Sequence, residues 1–261
     1  MPHRPHPTEE VLGGSVVTAP VVLPVYLEMG QAGGCMCHCL VHPGATFKAP
    51  GEEAALALAP AIIQAERAWL ACHGLLDPAA ACRPVSVELA GRVVTGGRVT
   101  SGDTEAFFEP WHRPLDDAVL DLGLRVLAAA REDLMRLMRG LPPAMLDWRP
   151  APGKRSLGEV LEHLANTEAY YAVHLETPDR ATGDLWKQAA LPGAPVWDRL
   201  DHAPRYLGER VRGLSAEERN RVTDHPSDED RIERWSARKV LYRAIWHERY
   251  HTRQMLGWLV Q

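Results

Sequence analysis

The sequence predicts a small α+β module with the element order β-β-β-α-β, followed by an all-α four-helix bundle. Up to about residue 110, short Val- and Cys-rich segments typical of strands surround one Ala- and Leu-rich helical segment. After Pro114 the apolar residues recur with a helical period almost throughout. The 261 residues are enough for two such units. We expect a flexible lead-in at 1–15, the α+β module (the front module) at 16–110 and the bundle at 111–261.

Local patterns predict each element of the front module. Strands are expected at 16–28, at the run CMCHCLV after a Gly-rich turn, and in a short segment after the turn HPG. The run EEAALALAPAIIQAERAWLACHG predicts a helix that contains Pro60 and ends at Gly74. The run PVSVELAGRVV predicts the last strand.

The second part contains four long amphipathic segments. They predict helices at about 115–140, 156–176, 196–213 and 232–259. The second helix begins at a capping box formed by Ser156 and Glu159. The connections at 177–195 and 214–231 are long enough to cross the bundle or to cover a site. Four helices of this length are typical of a four-helix bundle.

Charge and composition exclude several partners. The net charge is −5, and the acidic excess lies in residues 1–110, whereas nucleic-acid-binding proteins are usually strongly basic. The chain has no run of the ~20 apolar residues that a membrane span requires, and its first residues lack the apolar core of a signal peptide. The odd number of cysteines, 5, argues against a disulfide framework. We therefore expect a cytoplasmic protein with reduced thiols and no membrane or nucleic-acid partner.

Two histidines in the last helix have the spacing of metal ligands. His247 and His251, in the run WHERYHTRQM, are four residues apart and share one helix face, so both can reach one ion. His163 lies in the middle of the second helix, and a neighbouring helix can complete such a site. Three imidazoles with an open fourth position are common in catalytic zinc sites and also suit nickel or iron. In a chain with 12 histidines this spacing also arises by chance. A histidine pair that binds no metal is therefore the alternative interpretation.

Residues near these histidines have two interpretations each. Gln254 shares their face, and it either donates or accepts a hydrogen bond at a ligand or makes a helix-packing contact. Tyr170, seven residues after His163, either lines the cavity or is a core tyrosine. Glu162 and Glu248 each adjoin a histidine in sequence and are turned roughly 100° away from it. We expect these two carboxylates to be solvated rather than to act as catalytic bases.

Two further clusters also leave alternatives. The basic residues Arg149, Lys154 and Arg155 form either a solvated loop or a contact with an anionic thiol cofactor. The second cluster comprises the alternating cysteines of the second strand, Cys35, Cys37 and Cys39. Because alternate residues share one strand face, these are expected to be small buried apolar groups. A metal or redox role together with His38 or His42 is the alternative.

The helical part resembles the DinB/YfiT-like superfamily. In that family a Pro-Gly turn and a Ser or Thr cap precede a helix with an HLA element, as in the run PAPGKRSLGEVLEHLANTE. The run HERYHTRQM is similar to the final-helix element, H-x-x-x-H with a Gln three residues later. The resemblance covers about residues 115–261. It implies a bundle that binds one divalent metal (zinc, nickel or iron) through His163, His247 and His251.

The resemblance also implies a class of function. The family includes metal-dependent thiol transferases that use a low-molecular-weight thiol, because an open metal position can hold a thiol as thiolate or activate water. We therefore expect a metal-dependent enzyme of the thiol S-transferase or hydrolase type that acts on a small-molecule substrate. The alternative is a non-enzymatic stress-response or partner-binding protein with a structural metal. Bundles of this kind often pair through helices, so a homodimer is expected.

The front module resembles the HicB-like fold over about residues 21–90. The resemblance is carried by VYLE, the Gly-rich turn and short strand after it, the turn HPG and the helix start GEEA. It implies a recognition or dimerisation module. A HicB-type antitoxin relative that acts through this module is the further alternative, although the acidic charge argues against DNA contact.

Overall fold

A four-stranded sheet forms the front module. The computed structural model describes residues 19–226 and 231–260, so the predicted lead-in at 1–15 lies outside the described residues. The strands are β1 (Val21–Gly30), β2 (Cys35–His38), β3 (Thr46–Ala49) and β4 (Val85–Thr95). Their order in the sheet is β3-β2-β1-β4, with β2 antiparallel to both neighbours and β4 parallel to β1. Among the described residues the first strand begins at Val21.

Helix α1 (Glu52–Cys72) connects β3 to β4, and the short helix α2 (Pro78–Ala81) lies between α1 and β4. A crossover of this kind is needed because β1 and β4 run parallel. The helix ends just before Gly74, whose φ of +65° is in the left-handed region that glycine tolerates. The predicted order β-β-β-α-β is confirmed.

Four long helices form the second part of the described chain. They are α3 (Asp117–Arg139), α4 (Leu157–Val173), α6 (Val196–Arg212) and α8 (Ala237–Leu259), with short helices α5 (Gly183–Ala190) and α7 (Ala216–Asn220) between them. The capping box is present: the Ser156 hydroxyl accepts a hydrogen bond from the Glu159 amide, and the Glu159 carboxylate accepts one from the Ser156 amide. The predicted four-helix bundle is confirmed. Within the described residues, no helix has the length and apolar composition that crossing a membrane requires.

The start of the last helix was predicted wrongly. Residues from 232 onward first form a strand, β6 (Ile232–Ser236), that pairs antiparallel with β5 (Val222–Pro226). The helix begins only at Ala237, because the Ser236 hydroxyl accepts from the Lys239 amide as an N-cap and donates to the Trp111 carbonyl oxygen. The connection at 214–231 therefore contains a hairpin strand next to the bundle.

The two faces of β2 have different environments. Cys35, Cys37 and Cys39 are buried and free, and they belong to one apolar cluster with Ala55 and Ile63 of α1. The predicted role of these cysteines as small apolar core residues agrees with this packing. The alternating residues Met36 and His38 lie on the opposite face, where Met36 packs with Trp246 of α8 and His38 with Trp111.

Helix α8 joins the front module to the bundle. The Glu66 carboxylate of α1 is fully buried, and it accepts hydrogen bonds from Arg249 at 2.8 Å and Arg253 at 3.2 Å. The Tyr242 hydroxyl donates to the Leu40 carbonyl oxygen at 3.0 Å, in the turn after β2. The sheet is therefore fixed to the helix that carries two of the predicted metal ligands.

A single side chain links all four long helices. Arg131 of α3 donates to Glu168 of α4 at 2.7 Å, to Glu248 of α8 at 2.6 Å, and to the Leu200 carbonyl oxygen of α6. Both carboxylates are almost completely buried. A buried charge is tolerated only when it is paired and hydrogen-bonded, so this cluster fixes the relative positions of the helices.

Replacing Gly123 by alanine is expected to destabilise the protein by about 1–2 kcal/mol. A Cβ at this position of α3 would lie 2.4 Å from Leu241 Cδ2 and 2.9 Å from its Cγ, and Leu241 is fully buried in α8. The clash outweighs the gain of about 1 kcal/mol in helix propensity. Gly257→Ala is the matched control, because nothing lies within 4 Å of a Cβ there. Urea unfolding should show a lower free energy of unfolding for Gly123→Ala and a slightly higher one for Gly257→Ala. Equal effects of the two substitutions would contradict close packing of α3 on α8.

Candidate metal centre

Three imidazoles meet between α4 and α8. His163 of α4 and the pair His247 and His251 of α8 each offer one ligand atom, and these atoms all lie within 4.8 Å of one another. The Nε2 atoms of His163 and His247 are 3.0 Å apart. Among the described residues this is the one group of three or more His, Cys, Asp or Glu side chains arranged to hold a metal. The structure therefore brings together the three histidines that the resemblance nominates.

Apolar packing brings the two helices to this distance. Leu161 and Leu164 flank His163 on α4 and are fully buried in one cluster with Met255 of α8. His247 and His251 are one helical turn apart, so the same packing presents both to α4. The positions of the ligands thus follow from the core pattern of the helices around them.

Two side chains lie beside Nδ1 atoms of the histidines, where they can favour one tautomer. Gln254 Oε1 lies 2.9 Å from His251 Nδ1, where it can accept the Nδ1 proton and leave the Nε2 lone pair for a metal. The Thr167 hydroxyl donates to the His163 carbonyl oxygen at 2.8 Å and lies 3.4 Å from His163 Nδ1. Sequence reasoning missed Thr167, although its position four residues after His163 was a usable signal. His247 Nδ1 is buried and has no hydrogen-bond partner among the described residues.

Burial keeps the three imidazoles neutral. It lowers the pKa of His163 to about 4 and that of His251 to about 3, and the positive charge of Arg155 adds a smaller effect in both cases. The pKa of His247 is lowered well below its usual value, first by burial and then by the neighbouring His251 and His163. Neutral imidazole is the form that binds a metal, so these pKa shifts favour coordination at neutral pH.

The donor set fits a divalent transition metal. Two imidazole nitrogens bound tetrahedrally to zinc are about 3.3 Å apart, given Zn–N bonds of about 2.0–2.1 Å. The observed separation of 3.0 Å between His163 and His247 is close to that value. A separation of 3.0 Å also allows one Nε2–H group to donate to the other Nε2 atom, so the distance fits a metal site without requiring one. Nitrogen donors of this kind suit zinc, nickel and iron alike.

Two clefts with partly shared walls reach the histidines. One has a volume of about 170 Å³ and is lined by His163 and His247 together with Tyr170 and Glu233. The other has a volume of about 450 Å³ and is lined by His163, His251 and Gln254. The two clefts therefore leave room for a small molecule beside the partly buried rings.

Tyr170 lines the smaller cleft. It is 40% exposed, and its hydroxyl donates to Glu233 Oε2 at 3.1 Å. Burial of the phenol within this wall, followed by the negative charge of Glu233, raises the pKa of Tyr170, so its proton is retained. Of the two interpretations, the structure supports cavity lining over the core tyrosine. Glu233 was missed because it lies on the hairpin strand β6, which was predicted as helix.

The prediction for Glu248 is wrong and that for Glu162 holds only in part. Glu248 is 1% exposed and pairs with Arg131, because α3 packs over this side of α8. The Glu162 side chain is 42% exposed, yet it pairs with Arg199 of α6. Neither carboxylate lines the two clefts at the histidines.

The basic cluster before α4 is divided. Arg149 donates to the Glu159 carboxylate at 2.6 and 2.7 Å on the exposed side of the helix start. Lys154 and Arg155 instead line the larger cleft beside His251. The sequence favoured a solvated loop for the whole cluster. This holds for Arg149, but Lys154 and Arg155 lie in the wall of a cleft.

Four long helices and a cluster of three histidines that could hold a metal thus characterise the helical part of the described chain. The sequence model of the DinB superfamily matches residues 127–255, from within α3 to within α8. The match to the DinB superfamily thus covers most of the helical part of the chain.

Two solved structures resemble the chain. The four-helix bundle protein TT2238 is 24% identical, with a TM-score of 0.39, and the match covers 53% of this chain and 98% of that one. YfiT from Bacillus subtilis, described as a probable metal-dependent hydrolase with an unusual four-helix bundle topology, is 18% identical, with a TM-score of 0.40. That match covers 55% of this chain and 87% of YfiT. A search of curated protein sequences finds no match.

Proposed function

We propose that the protein is a metal-dependent enzyme that acts on a small molecule by thiol transfer or hydrolysis. The observation that carries the proposal is the convergence of three neutral imidazoles at the meeting point of two clefts. Structural zinc sites have four protein ligands, whereas catalytic sites keep one position for a substrate or water. Among the described residues no fourth His, Cys, Asp or Glu joins the group. This favours catalysis over the alternative of a structural metal.

The residues of the chain divide the work at this site. His163, His247 and His251 would hold the ion, and Gln254 and Thr167 fix the rings of two of them. A divalent metal there would supply Lewis acidity and lower the pKa of a thiol or water molecule that it binds.

The smaller cleft offers a proton donor. The Tyr170 phenol and the Glu233 carboxylate share a hydrogen bond at its wall, next to His163 and His247. Because the phenol stays protonated, it can donate a hydrogen bond to a substrate atom once Glu233 is displaced as its acceptor. The partly buried walls of this cleft strengthen such a contact.

The other expectations remain proposals. We place the protein in the cytoplasm, with a small-molecule substrate and with zinc, nickel or iron as the metal. A homodimer stays a prediction, as do the division at residue 110 and the HicB-like role of the front module. One face of β2 packs on α1 and the other on Trp246 of α8, so no contact among the described residues favours an antitoxin function.

The test is metal analysis and turnover on the full chain purified without a histidine tag. We expect about one divalent metal per chain, and metal-dependent transfer of a thiol to an electrophile or hydrolysis of an ester or amide. His163→Ala should lose both metal and turnover, whereas His73→Ala, directly after α1, should keep both. A chain that binds no metal after reconstitution contradicts the proposal. A chain that binds metal, shows no turnover and only loses thermal stability on chelation supports the structural alternative instead.

A further inference from the structure

The front module contributes a lysine to the metal centre. Lys48, on β3, lines both clefts. Its ammonium donates to the Thr100 carbonyl oxygen at 3.1 Å and to the Tyr250 hydroxyl at 3.4 Å. It also lies 4.4 Å from the centroid of the Tyr250 ring, and that ring is packed 5.0 Å from the ring of His251. Lys48 is far from the histidines in the sequence, and it thus contacts a tyrosine that packs against His251, one of the proposed ligands.

Lys48 has no acidic partner among the described residues. Its two hydrogen-bond acceptors are neutral, and no carboxylate lies within 4 Å of its nitrogen in the described parts of the chain. An ammonium has three donors, so one is left for another group. The side chain is only partly exposed, and a partly buried cation without a counter-ion is unfavourable. The charge would be compensated by an anion that enters the cleft.

The wall of the larger cleft is positively charged, as Lys48 is. Besides Lys48 it contains Arg98, Lys154 and Arg155, against one carboxylate, Asp103. Asp103 already accepts a hydrogen bond from Arg98 at 3.2 Å. The cleft is therefore strongly positive although the whole chain has a net charge of −5. A bound divalent cation would add to this charge, and a low-dielectric cleft focuses it on an incoming ligand.

Building on the proposed function, we propose that the substrate or co-substrate of this centre is a small anion, and that the front module helps to select it. Its carboxylate or phosphate group would lie in the larger cleft between Lys48 and Arg155, while its reacting atom faces His163, His247 and His251. The bundle alone supplies Lys154 and Arg155. Lys48 and Arg98 come from the front module, so the anion site is complete only when the sheet is packed on α8.

The experiment compares two thiols of similar size on the cobalt-loaded full chain. Binding of 3-mercaptopropionate, which carries a carboxylate, and of 2-mercaptoethanol, which is neutral, is followed by the Co²⁺ absorption spectrum. The readout is the ratio of their dissociation constants in each variant, so intrinsic differences between the thiols cancel. We expect Lys48→Met to reduce the preference for the charged thiol about tenfold at low ionic strength, and added salt to reduce it in the wild type.

Two further variants complete the design. Arg155→Met, in an exposed loop, should lower the preference in the same direction, and it remains informative if Lys48→Met folds poorly. Lys187→Met is the matched control, because Lys187 is exposed on α5, pairs with Asp184 and lies outside both clefts. An unchanged ratio in both test variants overturns the inference while the cobalt spectrum still supports the metal centre. Failure of the wild-type chain to bind cobalt overturns the proposed function and the inference with it.

Discussion

Replacing His251 by alanine is expected to remove the divalent metal from the protein. The substitution takes away one of three nitrogen donors, and the two that remain cannot enclose an ion between α4 and α8. We expect the affinity to fall by more than about a hundredfold, which is the upper end of the effect of losing an outer hydrogen-bond partner. Competition with a chromophoric chelator, followed by elemental analysis, measures the change.

Two further variants serve as references for the size of this loss of affinity. Gln254→Leu removes only the acceptor at His251 Nδ1, so metal affinity should fall about 10–100-fold and less than in His251→Ala. His202→Ala is the control, because His202 lies on α6, contacts the Gln188 carbonyl oxygen and lines neither cleft. If His251→Ala retained the wild-type affinity, the three-histidine centre would be excluded.

Replacing Arg131 by methionine is expected to destabilise the fold by about 3–5 kcal/mol at pH 8. The change leaves the buried carboxylates of Glu168 and Glu248 without their shared cation. Arg136→Met is the matched control on the same helix, where the exposed pair with Glu132 should contribute less than about 1 kcal/mol. Urea unfolding measures both, and a loss below about 1 kcal/mol for Arg131→Met would contradict a structural role of the cluster.

The size of this effect should depend on pH. Burial, followed by the charge of Glu248, raises the pKa of Glu168 to about 7 even though Arg131 opposes the shift. In the wild type the folded state therefore binds a proton more tightly than the unfolded state, and stability falls as pH rises from about 4.5 to about 7. Without Arg131 the pKa of Glu168 rises further. The destabilisation should consequently be larger at pH 8 than at pH 5, where the carboxyl is protonated in both variants.

Local patterns in the sequence were enough for most of the fold. The capping box at Ser156, the left-handed glycine after α1 and the alternating cysteines of β2 each depend on residues close together in the chain, and each is present. The start of α8 was misplaced by five residues, because Ile232–Ser236 pairs with the strand Val222–Pro226. The spacing of apolar residues within one segment cannot reveal this pairing, because the partner strand lies in another segment.

The site was predictable in the part that lies on one helix. The spacing of His247 and His251 nominated a pair, while His163 depended on the family resemblance, because no spacing within the sequence links α4 to α8. Lys48 and Glu233 could not be found in this way. Their places at the centre depend on how β3 and β6 pack against α8, which is a tertiary property.

Helix α8 connects the buried contacts of the front module with those of the bundle. It carries two of the proposed ligands, Glu248 of the Arg131 cluster, and the arginines that neutralise the buried Glu66 of α1. Loss of the sheet would leave Arg249 and Trp246 uncovered, and loss of the bundle would leave Glu66 without its arginine partners. A metal that binds only the folded centre would therefore stabilise the distant sheet by linkage. By the same reciprocity, a substitution in the hydrophobic layer between β2 and α1 would weaken metal retention at histidines that it never touches.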